Sequence, residues 1–138
     1  MLLVCPQRSV DLAQAGPYLN RMEKHAGSCH CGKFRFEVTV DITKGMECNC
    51  SICVRKGHVL SFAPPEAFAM TAGSEDALTV YKFNKHVIHH AFCPTCGIAA
   101  FGWGTGQDGK KMYSINLRCL DDIDMTKVKI SLFDGRNR

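Results

Sequence analysis

Residues 27–40 read GSCHCGKFRFEVTV, and two kinds of physics meet within them. In the second half Phe34, Phe36, Val38 and Val40 alternate with Lys33, Arg35, Glu37 and Thr39. That period of two predicts a strand with one buried face and one wet face. In the first half Cys29 and Cys31 stand one residue apart, so extended backbone would turn both sulfurs to the same side. Gly32 suits a tight turn out of that pair and into the strand. The stretch therefore predicts a β domain pinned at a metal knuckle.

The pattern repeats further along. FCPTCGIAAFGWG, residues 92–104, places Cys93 and Cys96 as C-x-x-C ahead of Gly97 and a second strand. Between the two lies MECNCSICVRKGH, residues 46–58, with Cys48, Cys50 and Cys53 as C-x-C-x-x-C. Its end, CSICVRKGH, predicts one helical turn stopped by Gly57. The remaining apolar runs are short. VLSFA at 59–63 predicts a strand ended by Pro64 and Pro65. LTVYKF and VIHHAF predict two strands joined through Asn84 and Lys85, and KMYSINL one more. VKISLF predicts the last strand, with Val128, Ile130 and Leu132 on one face. No long helical period is present. The fold class predicted is mainly β, many short strands, in one domain over residues 25–138. Residues 1–24 are expected to be an N-terminal extension, in which VDLAQAG, residues 10–16, suits a short helix ended by Gly16 and Pro17.

A chain of 138 residues with 46% apolar and 22% charged residues fits one soluble globular domain. No apolar run approaches the roughly 20 residues a membrane helix needs. The start, MLLVCPQRSVD, has no secretory pattern, so a cytoplasmic location with reduced thiols is expected. Nine cysteines, an odd count, then favour metal over a disulfide framework. The formal charge of +4 treats every thiol as neutral. Seven thiolates binding two divalent cations would lower it to about +1. That removes most of the charge argument for a nucleic-acid binder.

Zinc–sulfur bonds of about 2.3 Å bring neighbouring sulfurs to within about 4 Å of each other. Cys29 and Cys31 pair naturally with Cys93 and Cys96 to make a closed four-cysteine site, the composition of a structural zinc. Cys48, Cys50 and Cys53 are left as a trio. Three protein ligands and an open position suit a catalytic zinc, whereas a fourth ligand from His58, His30, His25, Cys119 or Cys5 would make the site structural. Cys5 and Cys119 stand alone, and isolated cysteines are usually inert packing residues.

GSCHCGKFRFEV, CNCSICVRKG, YKFNKHVIHHAFCPTCGI and INLRCLD together resemble the glutathione-dependent formaldehyde-activating enzyme family, whose domain also occurs in centromere protein V. The resemblance spans about residues 27 to 120 and covers all seven clustered cysteines. It implies a β-tent fold of small antiparallel sheets around zinc, with few or short helices. It implies two zinc ions per chain, structural at Cys29, Cys31, Cys93 and Cys96 and catalytic at Cys48, Cys50 and Cys53. The reaction it implies joins formaldehyde to glutathione as S-hydroxymethylglutathione, a carbon–sulfur lyase reaction run in reverse. His58, Arg55 and Lys56 are the nearest candidates to bind the substrate carboxylates or to stabilise the alkoxide that forms. Of His89 and His90, neighbours in a strand, one is expected to face the site. The alternative is a non-catalytic module for protein or chromatin interaction, with both zinc sites structural.

Overall fold

A computed structural model describes residues 21–138. The helix expected at 10–16 and Cys5 lie outside the described residues. Among the described residues ten strands form three small sheets. The first has the order β1 (Glu23–Ser28), β2 (Arg35–Val40), β5 (Phe68–Ala72) and is antiparallel throughout. The second has the order β10 (Lys129–Phe133), β3 (Lys44–Cys48), β4 (Leu60–Ala63), β9 (Lys111–Asn116), β8 (Phe101–Thr105). The third is the hairpin β6 (Thr79–Tyr81) and β7 (His90–Phe92). The mainly β fold of small sheets is the one expected. Its departure from an all-antiparallel pattern is the parallel pairing of β10 with β3.

The alternation at 34–40 works as read. Phe36, Val38 and Val40 are buried in the main core, where they meet Phe101 and Ile115 from the second sheet and Val59 and Leu117 that flank its strands. Aromatic packing closes this core, with Phe36 edge-on to Phe101 and Phe68 stacked on Tyr113 at 4.0 Å. Phe34 points elsewhere. It forms a separate small cluster with Cys29 and Cys93. So β2 joins two cores, an apolar one and one built around cysteine.

β4 stops at Pro64 as expected, because proline cannot continue the ladder. The hairpin strands are shorter than LTVYKF and VIHHAF suggested, since the chain turns at Asn84 and His86, both at positive φ. β10 lies at the sheet edge, with Ile130 and Leu132 exposed on it. The one α-helix among the described residues, α1, is the single turn Cys53–Lys56, ended where the Gly57 N–H donates to the Cys53 carbonyl. No described helix is long and apolar enough to cross a membrane.

Candidate metal centre

Two knuckles meet at one end of β2. The first carries Cys29 and Cys31 ahead of β2, and the second carries Cys93 and Cys96 after β7. Gly32 and Gly97 sit at φ of 78° and 77°, a left-handed turn that glycine makes at little cost. The four sulfurs lie within 4.8 Å of one another. Cys29 to Cys31 and Cys31 to Cys93 are each 3.7 Å. A tetrahedron with zinc–sulfur bonds of about 2.3 Å has edges of about 3.8 Å, so the sulfurs are spaced for that ion. Backbone N–H groups of Phe34 and Thr95 donate to the Cys29 and Cys93 sulfurs at 3.5 and 3.4 Å. Such bonds favour thiolate over thiol and orient the ligand. Backbone N–H groups of Cys31 and Ile98 bring the Cys96 thiol down to about 6.

The second cluster is built differently. Cys48 ends β3, Cys50 lies in the loop that follows, and Cys53 opens α1. Their three sulfurs also lie within 4.8 Å of one another. Among the described residues no fourth cysteine, histidine or carboxylate joins them. Burial pushes the Cys53 thiol up to about 12, with the neighbouring Cys50 and Cys48 sulfurs adding to it. Burial also acts against Cys50, but the backbone N–H of Cys53 and its other donors outweigh it and bring that thiol down. Three crowded sulfurs resist sharing negative charge among themselves, and a divalent cation relieves that repulsion. Both clusters can therefore hold a zinc ion, one with a complete protein ligand set and one without.

The histidines and Cys119 that might have closed the trio are used elsewhere. His25 is buried on β1, with its ring nitrogen 2.8 Å from an Asp122 carboxylate oxygen. His30, His58 and Cys119 line a cleft of about 720 Å³ between α1 and the first knuckle. Burial pushes the Cys119 thiol up to about 11, so it is no ready nucleophile. Lys56 lines the same cleft and feels the field of Cys53 and Cys50. Arg55 does not line it; its guanidinium donates to the Ser51 carbonyl at 2.6 Å, within its own turn.

Three more residues complete the surroundings. His90 stacks on Phe83 at 5.3 Å and lies close enough to Lys56 and His58 for their charges to interact. Burial, reinforced by Lys56, pulls both His58 and His90 down to about 4, so both rings are neutral near pH 7. His89, on the other side of the strand, stacks on Trp103, which packs on the main core. Arg118 and Asn116 also line the cleft. Asn116 ends β9 and Arg118 follows it, both within the INLRCLD stretch that carries the family resemblance, but neither is among the site residues expected from the sequence.

The profile of the family described as glutathione-dependent formaldehyde-activating enzyme matches residues 24–136. Among solved structures, the crystal structure of a Rhodobacter sphaeroides protein is similar, with a TM-score of 0.68 and 26% identity. That likeness covers 78% of this chain and 99% of the other.

Proposed function

This chain belongs to the glutathione-dependent formaldehyde-activating enzyme family, and from that premise we propose that it joins a thiol to an aldehyde, glutathione to formaldehyde in the first instance. In class it is then a carbon–sulfur lyase working in the synthetic direction, with two zinc ions per chain. The observation that carries this reading is the three-sulfur cluster that no fourth cysteine, histidine or carboxylate joins among the described residues, with Lys56, next to it in the chain, lining a cleft together with Arg118.

The reaction adds the thiol across the carbonyl. A sulfur–carbon bond forms, the C=O π bond opens, and the thiol proton ends on the new hydroxyl. A zinc ion held by Cys48, Cys50 and Cys53 would supply an exchangeable position at which a thiol is favoured as thiolate. The chain's own side chains do the rest. Lys56 and Arg118, which both line the cleft, offer two cations for a substrate with two carboxylates. His58 is neutral, so it offers an N–H donor to the developing alkoxide rather than a cation to a carboxylate. Cys29, Cys31, Cys93 and Cys96 hold the other ion and with it the wall of the cleft.

The test is formaldehyde consumption in the presence of glutathione, with zinc-loaded protein, against the spontaneous condensation. Wild type exceeds the background, and Cys50→Ser falls to it while keeping one metal. Wild type running at the background rate would sink the formaldehyde reading.

A further inference from the structure

The C-terminal residues 134–138 lie against the trio, and no part of the proposed reaction uses them. We propose that this segment is a latch that positions the three-cysteine site and retains its metal, with Asn49, Asp134 and Gly135 as positioning residues. The proposal rests on the reading of Cys48, Cys50 and Cys53 as a metal site.

Three observations carry it. The first is register: β10 runs parallel to β3 until Phe133 stands opposite Cys48, and the Asn49 N–H then donates to the Phe133 carbonyl at 3.2 Å. The tail is thus docked on the strand that presents the first ligand. The second is the use of Asn49, the residue between two ligands. Its Nδ2 donates to Asp134 Oδ1 at 2.9 Å, and its Oδ1 accepts the Arg136 N–H at 2.9 Å. The other Asp134 oxygen accepts from Asn137 Nδ2 at 2.7 Å. Fixing this side chain fixes the backbone that carries both Cys48 and Cys50. The third is the approach of Gly135. A Cβ built there would lie 2.5 Å from the Cys48 sulfur and 3.3 Å from Cys50 Cβ. Ordinary contact needs about 3.5–4.0 Å, so only glycine lets the tail seat directly on the sulfur.

A tail that merely ended β10 would need neither the glycine nor both ends of one asparagine amide. Asp134, Arg136 and Asn137 are exposed and bury nothing in the main core. Their effect is local, on a site with one ligand fewer than its neighbour.

The experiment follows metal release to a chromogenic chelator from zinc-loaded full-length protein. Metal content is counted first, and Cys50→Ser identifies the phase that belongs to the trio. Asn49→Asp sets two carboxylates against each other, Gly135→Ala drives a methyl into Cys48, and a chain ending at Phe133 lacks the latch. Each is expected to release the trio's metal at least tenfold faster, with the four-cysteine phase within twofold of wild type. The swap Asn49→Asp/Asp134→Asn restores the donor and acceptor pair and brings release back to within about threefold of wild type. Release at the wild-type rate in all three variants overturns the latch, as does equal acceleration of both phases. Wild type binding a single metal overturns the site reading and the latch with it.

Discussion

Stripping the metal from the four-cysteine site should unfold the two knuckles and leave the β core standing. The reason is an imbalance visible in the structure. Ordering the ten residues 29–33 and 93–97 costs roughly 15 kcal/mol of backbone entropy. Burying Phe34, the one large apolar side chain there, returns about 2–3 kcal/mol. Four backbone hydrogen bonds, from the N–H groups of Cys29, Gly32, Cys93 and Gly97, return about 4 kcal/mol more. The shortfall is roughly 8 kcal/mol, and a structural zinc supplies about 10–16 kcal/mol. The main core has no such debt: Phe36, Val38, Val40, Ile115 and Leu117 are buried in a cluster that includes none of the seven clustered cysteines. Hydrogen–deuterium exchange read by mass spectrometry, with and without excess chelator, separates the outcomes. Amides of 29–33 and 93–98 should lose nearly all protection, while β2, β4 and β9 keep theirs. Cooperative loss across β2, β4 and β9 would refute the reasoning, and so would knuckles that stay protected once both metals are gone.

Two further outcomes follow from the cleft. His58 and His90 are held near 4 against an ordinary value of 6.5. Between those values the unfolded chain takes up protons that the folded chain refuses, so stability falls as pH drops from about 7 to 4. Solvent screening at these partly exposed rings reduces the effect to about 1–2 kcal/mol each. Chemical denaturation across that window should show a shallower fall for His58→Gln/His90→Gln, and equal slopes would count against the assignment. Separately, Lys56→Gln or Arg118→Gln should raise KM for glutathione roughly tenfold, the size of one charge-assisted hydrogen bond. Neither should change KM for an uncharged thiol; a parallel rise with both thiols would remove these residues from carboxylate binding.

The parts of the fold legible in the sequence are those where apolar side chains mark the buried face. β2 announces itself because Phe36, Val38 and Val40 all point inward. β1 and β3 do not, because the positions they bury are His25, Gly27 and Gly45, which carry no alternating apolar signal. β5 does alternate, Phe68 and Met70 inward against Ala69 and Thr71, but it is only five residues long and follows two prolines closely. β10 was legible as a strand, and its alternating Ile130 and Leu132 are exposed at the sheet edge. The same limit applies to the site. Cysteine spacing displays the ligands, because zinc–sulfur geometry acts over one or two residues. Gly135 belongs to the surroundings only through sheet topology, which spacing does not encode, and topology also decides that His90 rather than His89 lies near Lys56 and His58.

That difference explains why three cysteines remain three. The four-cysteine site is made of two similar knuckles, each a short loop turned by one glycine, so each supplies half of a closed set. Among the described residues the trio has no matching partner. It spans the end of a strand, a loop and the first residue of a helix, and the segment packed against it is a glycine with no donor atom to give. Lys56, at the end of α1, is a cation that feels the field of Cys53 and Cys50. A lysine ammonium cannot coordinate zinc, but it can attract an anionic thiol that does. And because Cys29 and Gly97 of the closed site wall the cleft that Lys56 enters, the closed site is structural support for the open one. Holding the knuckles in place holds that wall of the cleft.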